Sequence, residues 1–235
     1  MKWNIGEFYQ LVQRKLPSPS VSSLEPPLRS IPWKFALCRY HIDEVNRILS
    51  ETFTRPIEEQ FMEAIGKLLM AATGTDEGHE FIEARFRAEA HVIACAQSLH
   101  STADILAQVL CISLNLDGLF KPKEPRYLHT VVNRMSQHTI APSVVAAATY
   151  FLQSDEFRYL RAYVNTTKHI SLITSSYSIH VVPGQEQHGL KINDFSFQGE
   201  NWPQKWLTDF IATDFERLSN MFGAIGIELT AFIRP

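Results

Sequence analysis

The sequence predicts a mainly α-helical fold, a helical bundle around one long central helix with a β-hairpin inserted before the C-terminal helix. Three observations lead to this prediction. Apolar residues recur every three or four positions over most of the chain, and residues 80–116 contain neither proline nor glycine. Residues 170–182 and 190–197 instead alternate between apolar and polar side chains, which is typical of strands.

Composition and charge exclude several classes of protein. The chain has 235 residues, of which 45% are hydrophobic and 20% are charged, so long disorder and coiled-coil rods are not expected. A net charge of −3 excludes a globally basic nucleic-acid coat but leaves room for a local basic patch. The three cysteines form no CxxC pair, and the sequence contains neither a signal-peptide pattern nor a long apolar run. We therefore expect a cytoplasmic protein with reduced thiols and no membrane partner.

The N-terminal part of the chain predicts a short helix at about 4–15, followed by an extended segment. Residues 17–32 hold five of the twelve prolines. Because proline removes a backbone donor and fixes φ, this segment is interpreted as an arm or linker. The predicted domain organisation is an N-terminal arm with a Pro-rich linker over residues 1–32 and a helical domain over residues 33–235.

Three helices are predicted next. One runs from Trp33 to Ser50, and a second opens at Pro56 and carries its apolar face over 57–69. The third, at about 80–116, is apolar on most sides and is expected in the middle of the bundle. Charged residues near its start, Glu89 among them, are interpreted as a solvated face with intrahelical pairs.

The second half of the chain predicts short helices, a hairpin and a final helix. Helices are expected at 127–137 and 142–153, and a third, with Ser154 as N-cap, continues to His169. The hairpin is placed at about 170–198 and the final helix at about 203–233, opening at Pro203. Its predicted buried stripe consists of Leu207, Ile211, Leu218, Phe222, Ile225, Leu229 and Phe232, and Gly223 and Gly226 indicate a close approach of another helix.

The common catalytic and metal-binding motifs are absent from the sequence. It has no glycine-rich phosphate loop, no HExxH, no GxSxG and no zinc-ligand spacing. A di-iron bundle needs two Glu-x-x-His pairs. The chain offers Glu89-Ala-His91, which has the wrong spacing, and His41-x-x-Glu44, which is reversed. We therefore expect no metal and no cofactor.

One predicted helix concentrates residues that can carry charge or donate hydrogen bonds. Arg158, Arg161, Asn165 and either Lys168 or His169 are three or four positions apart, so they share one side of the helix. Cations near the C-terminal end of a helix are favoured by its dipole. The alternative is purely structural: the cations stabilise the helix end, and Asn165 starts a turn.

The charge distribution around this helix favours a phosphate-bearing partner. Residues 121–169 contain seven Lys and Arg side chains against three carboxylates, whereas the whole chain carries −3. A positive face on an acidic protein is typical of binding to phosphate groups.

A polar stripe on the long helix is the second candidate. Gln97, His100, Asp104 and Gln108 lie on one face. They either form a satisfied internal network, contact another subunit, or line the same cleft as His169. The candidate substrate-binding residues are Arg158, Arg126, Asp104 and His100.

The segment Asn165-x-x-Lys168-His169 resembles the second half of the motif of the HEPN superfamily, all-helical nucleotide-binding and RNase domains. It is also similar to an Asn-x-x-Lys-His variant in bacterial HEPN-like proteins. In the family, an arginine precedes the histidine with four to six residues between them, which places it at 162–164 here. Those positions hold Ala, Tyr and Val, and Arg161 is one position too early. The architectural resemblance extends over residues 33–170.

The resemblance implies metal-independent RNA cleavage through attack of the ribose 2′-hydroxyl. His169 would transfer protons, Asn165 would orient the histidine or a phosphate oxygen, and Arg161 or Lys168 would stabilise the phosphate. It further implies a homodimer with two motifs in one cleft, and a toxin or phage-defence role. The main alternative is a non-catalytic dimeric helical module that binds a nucleotide, an RNA or a protein partner. A plain interaction protein, in which the segment merely ends a helix, is a third.

Overall fold

The structure, a computed structural model, describes residues 3–52, 66, 76–180 and 187–234. It is mainly helical, with a small antiparallel sheet before the C-terminal helix, which confirms the predicted fold class. The predicted helix that opens at Pro56, and part of the predicted hairpin loop, lie outside the described residues. Among the described helices, none is both long enough and apolar enough to cross a membrane.

Seven α-helices are present in the described part of the chain. The longest is α3, as predicted, and a short 3₁₀ turn at Asp117–Leu119 follows it. The helices are α1 (Ile5–Lys15), α2 (Ser18–Thr52), α3 (Asp76–Ser113), α4 (Leu128–Gln137), α5 (Pro142–Gln153), α6 (Asp155–His169) and α7 (Phe215–Ile233).

The strands lie between α6 and α7 and form two small antiparallel sheets. In the first sheet β2 is central, with β1 on one side and β5 on the other. Residue 175 pairs with residue 192, and residue 180 pairs with residue 187, so β1 and β2 form the predicted hairpin. The second sheet, β3–β4, was not predicted. The strands are β1 (Ser175–His180), β2 (Gln187–Ile192), β3 (Phe195–Phe197), β4 (Glu200–Trp202) and β5 (Lys205–Trp206).

Contacts divide the chain into two compact units. The first unit consists of Met1–Ala36, Ser98–Arg161 and Phe215–Pro235. The second consists of Leu37–Gln97 and Ala162–Asp214. Helices α2, α3 and α6 therefore each contribute residues to both units.

The prediction of an extended segment at 17–32 is wrong, because α2 continues through three internal prolines. Each internal proline costs roughly 3 kcal/mol of helix stability. One face of the helix nevertheless buries Leu24, Leu28, Ile31 and Phe35 at a spacing of three or four residues. Such burial contributes roughly 1.5–3 kcal/mol per side chain, which offsets the cost of the prolines. No break in α2 marks the predicted boundary after residue 32.

The first unit is held together by helix packing around α7. Helix α5 packs on both α7 and α4, and α1 packs on α7. Trp3, just before α1, lies against Gly226 so closely that an added Cβ would be 2.1 Å from its ring. The Trp3 indole N–H donates to Thr230 Oγ1 at 3.0 Å. The close approach predicted at Gly226 is thus made by a tryptophan side chain.

The start predicted for the final helix is wrong. Lys205 and Trp206 pair with β2 as strand β5, and the Lys191 ammonium lies 4.2 Å from the centre of the Trp206 ring. A π-helical segment, Asp209–Asp214, then precedes α7. Among the predicted stripe residues, Phe232 is exposed (48%), and Ile233 is buried in its place.

Candidate functional site

Helix α6 begins and ends where its sequence predicts. The Ser154 hydroxyl accepts a hydrogen bond from the Phe157 N–H at 3.2 Å, as an N-cap does. The C-terminal end is closed by the Ile170 and Ser171 N–H groups, which donate to the Thr166 carbonyl at 2.9 and 3.0 Å. Lys168 and His169 therefore occupy the last turn, at the negative end of the helix dipole.

Helix α6 has a buried face and a polar face. Phe157, Leu160, Tyr163 and Val164 are buried. The polar residues are placed differently: Arg158 and Asn165 are half-buried, whereas Arg161, Lys168 and His169 are exposed. The imidazole of His169 is thus accessible to solvent beside a lysine, and Asn165 lies one turn earlier.

The continuity of α6 separates Arg161 from His169. The helix stays regular through His169. Eight residues correspond to a rise of about 12 Å along the axis and a rotation of roughly 80° between the two positions. Unwinding of the helix end, which would let Arg161 approach His169, does not occur in this structure. Lys168, in the same turn, is the nearer cation in the chain.

The predicted cations Arg126 and Arg158 take part in surface ion pairs. Arg126 NH1 lies 2.6 Å from Asp117 Oδ1, and its guanidinium carbon lies 5.5 Å from the centre of the Phe120 ring. Arg158 NH1 lies 3.6 Å from Asp155 Oδ1. Exposed ion pairs of this kind are weak, so they do not prevent either guanidinium from exchanging partners with a phosphate.

Within the polar stripe on α3, His100, Asp104 and Gln108 belong to the first unit, as do Arg126 and Arg158, whereas Gln97 belongs to the second. His100 and Asp104 are both half-buried and one turn apart. The His100 ring stacks on Phe157 with 6.0 Å between ring centres and an interplanar angle of 4°. Asn165, Lys168 and His169 belong to the second unit.

A histidine pair between α2 and α3 was not predicted from the sequence. The Nδ1 atoms of His41 and His91 are 3.0 Å apart, and both side chains are half-buried. The Tyr40 ring lies 5.2 Å from the His41 ring and 6.2 Å from the His91 ring. Burial, and then the neighbouring His91, lower the pKa of His41 below its ordinary value of 6.5.

The helices that carry this pair run antiparallel in this part of the second unit. The Cys38 thiol donates to the carbonyl oxygen of Cys95 at 3.6 Å. Cys38 precedes His41 by three residues, whereas Cys95 follows His91 by four residues, so the two helices run in opposite directions. In the sequence, a cysteine lies about one helical turn from each histidine, before His41 and after His91. On two antiparallel neighbouring helices this spacing brings the cysteines together and the histidines together. Without knowledge that the helices are neighbours, this spacing could not be used as a signal.

Glu89 contradicts the prediction of a solvated face at the start of the long helix, although it forms a predicted intrahelical pair, with its Oε1 3.7 Å from Arg85 Nε. Its side chain is buried, with 8% exposure. One carboxylate oxygen accepts hydrogen bonds from the Ser175 N–H at 2.7 Å and from the Ser175 hydroxyl at 2.6 Å. Burial, and secondarily the Glu89 charge, raise the pKa of Tyr163 above its ordinary value. Glu89 thus connects α3 to the first residue of β1.

Within residues 3–52, 76–180 and 187–234, no three His, Cys, Asp or Glu side chains are grouped closely enough to hold a metal ion. Comparisons with known protein families, with curated proteins and with solved structures give no match for this chain. We therefore interpret the end of α6 from its own residues and geometry.

Proposed function

We propose that this protein is a HEPN-like, nucleic-acid-directed protein that cleaves RNA without a metal ion, as toxins and phage-defence RNases do. One observation carries the proposal: the regular helix α6 presents an exposed His169 beside Lys168, with Asn165 one turn earlier. These are the residue types that the Asn-x-x-Lys-His variant of the family motif requires. The RNA would be met in the cytoplasm.

The reaction proceeds by attack of a ribose 2′-hydroxyl on the adjacent phosphorus. A bond forms from the 2′-oxygen to phosphorus, and the bond from phosphorus to the 5′-oxygen breaks. The 2′-hydroxyl loses its proton, and the leaving 5′-oxygen gains one. The products carry a 2′,3′-cyclic phosphate and a 5′-hydroxyl.

His169 and Lys168 have different roles in the reaction. The His169 imidazole moves a proton, a role worth about 10²–10⁴ in rate. The Lys168 ammonium stabilises the negative charge that develops on the phosphate oxygens. Asn165, one turn before His169, orients the imidazole or a phosphate oxygen. Lys168 takes the place of the arginine of the family motif, because Arg161 is about two turns away on a continuous helix.

Charge along the sequence and exposed apolar area support an RNA partner. Along the sequence, residues 121–169 carry seven cationic side chains against three carboxylates. At the end of α6, Ile170 and Leu172 are 64% and 58% exposed, so they offer apolar contact area beside Lys168. Cations for phosphates beside apolar area for bases are a common combination in binding of single-stranded RNA.

A homodimer completes the proposed site. Two protons move in the reaction, one away from the 2′-oxygen and one towards the 5′-oxygen, and a single imidazole transfers one at a time. A second copy of His169 in a shared cleft would supply the other proton transfer. Light scattering combined with size exclusion is expected to give twice the mass of the chain.

The test is incubation of the purified protein with total RNA in EDTA. We expect cleavage products that end in a 2′,3′-cyclic phosphate. An oligonucleotide with a 2′-deoxy sugar at the cleaved position is the matched control, and it should resist cleavage. Cleavage that requires a divalent ion, or that proceeds on the deoxy substrate, would contradict the mechanism.

The alternative, a non-catalytic module, predicts a different result from the same sample. RNA would then bind with an affinity that falls steeply with salt but would not be cut, since the contacts are made to phosphates. Absence of both cleavage and RNA binding would overturn the proposal and favour a protein partner.

A further inference from the structure

We propose that His41 and His91 together form a binding site for one divalent transition-metal ion, with Cu²⁺ the preferred ion, through their Nδ1 atoms. The site lies in the second unit between α2 and α3 and involves none of the residues at the end of α6.

The geometry of the pair already matches that of two ligands on one metal. Imidazole nitrogens bind first-row metals at about 2.0–2.1 Å, so two of them lie about 2.9–3.4 Å apart when the angle at the metal is about 90–110°. The observed distance between the two Nδ1 atoms is 3.0 Å. The separation of the two Nδ1 atoms thus suits two ligands of one ion.

The protonation of the pair favours exchange of a proton for a metal. When both rings are neutral, one Nδ1 must carry the proton of the hydrogen bond, and the other accepts it. Moving that proton to Nε2 leaves each Nδ1 with a lone pair available to a metal ion. One metal ion bound by both rings would then take the place of the hydrogen bond between the two nitrogens.

The neighbouring charges determine how many ligands the protein supplies. Glu44 is three residues from His41, but its Oε2 accepts two hydrogen bonds from Arg47, at 2.8 and 3.2 Å. Arg47, chiefly through these hydrogen bonds, holds the pKa of Glu44 below its ordinary value. Within the described part of the chain, no third His, Cys, Asp or Glu side chain is grouped with the pair, so the pair supplies two nitrogens and water would complete the coordination. Among divalent ions, an open site of imidazoles favours Cu²⁺ over Ni²⁺ and Zn²⁺.

The experiment is titration of the tag-free, full-length protein with Cu²⁺ alone, followed by electron paramagnetic resonance. In the wild type, we expect the most tightly bound Cu²⁺ to give a spectrum that shows coordination by two imidazole nitrogens. His41→Ala and His91→Ala should each lower the affinity for this Cu²⁺ at least about tenfold, because loss even of a residue that only supports a metal ligand lowers affinity about 10–100-fold. His79→Ala, an exposed histidine on the same helix as His91, is the matched control and should bind as the wild type does.

A second readout distinguishes loss of metal binding from loss of the fold. His41→Asn and His91→Asn keep a polar side chain of similar reach, and circular dichroism checks their helical content. Cu²⁺ should raise the melting temperature of the wild type and of His79→Ala but not of the asparagine variants. A wild-type spectrum with fewer than two nitrogens, or equal binding by the variants and the wild type, would overturn the proposal.

Discussion

The second unit contains two sets of polar residues that differ in what they contact. At the end of α6, Lys168 and His169 are exposed and face solvent. Between α2 and α3, His41 and His91 face each other with their Nδ1 atoms 3.0 Å apart. The first set can meet a large ligand without any rearrangement, whereas the side chains of the second set already contact each other within the protein.

The difference shows which kind of site a sequence can reveal. The α6 set lies within five consecutive residues of one helix, so its spacing is sufficient to place it on one face. The histidine pair joins residues 50 positions apart, and only the packing of two helices brings them together. Substitutions should therefore separate the two kinds of site: changes at the end of α6 should affect activity, and changes at paired or buried polar groups should affect stability.

Apart from substitutions of His169, we expect Lys168→Ala to have the largest effect on RNA cleavage among changes at the end of α6. Loss of a cation that stabilises developing charge should lower the rate of RNA cleavage about 10²-fold, with little change in melting temperature. Lys15→Ala, which removes an exposed lysine from the last turn of α1, is the matched control and should leave the rate unchanged. Equal cleavage by Lys168→Ala and the wild type would remove Lys168 from the site.

A buried polar group should show the opposite behaviour. Glu89→Ala removes the acceptor of the Ser175 N–H and hydroxyl, and it leaves these donors without that partner. We expect a loss of about 2–3 kcal/mol in the free energy of unfolding, measured with urea. Glu83→Ala, an exposed carboxylate on the same helix, should change stability by less than about 0.5 kcal/mol. If the two variants were equally stable, the connection between α3 and β1 would be energetically unimportant.

The smallest effect is a dependence of stability on pH that arises from the histidine pair. Because the pKa of His41 is lower in the folded protein than its ordinary 6.5, the unfolded chain binds more protons below that pH. The contribution of this histidine to the free energy of unfolding is therefore complete above about pH 6.5. As the pH is lowered further, the free energy of unfolding falls by less than about 1 kcal/mol per pH unit.

This fall should be smaller in His91→Asn and unchanged in His79→Asn. His188, whose pKa burial also lowers, accounts for some of the slope that remains. A His91→Asn variant with the same slope as the wild type would show that the pair does not resist protonation.

Elements with local signals were predicted well. Helix α5 spans Pro142–Gln153, the predicted range, because proline suits the first turn and Ser154 stops the helix. The hydroxyl of Ser154 then caps α6 as expected. In both cases the determining residues are adjacent in the sequence, so no knowledge of distant contacts is needed.

Elements determined by distant contacts were missed. The prolines of α2 predict an extended chain locally, but the burial of Leu24, Leu28 and Ile31 against distant parts of the chain offsets their cost. Residues 203–206 read as the start of a helix, but pairing with β2 makes part of this stretch a strand. For the candidate site, the placement of the α6 residues followed from helical spacing, whereas the His41–His91 pair depended on packing.

The most direct test of the central claim compares RNA cleavage by His169→Ala and His180→Ala in EDTA. His180 is an exposed histidine at the end of β1, in the same unit, and serves as the control. We predict that His169→Ala cleaves RNA about 10²–10⁴-fold more slowly than the wild type at an unchanged melting temperature, while His180→Ala retains full activity. Full cleavage by His169→Ala would contradict the account.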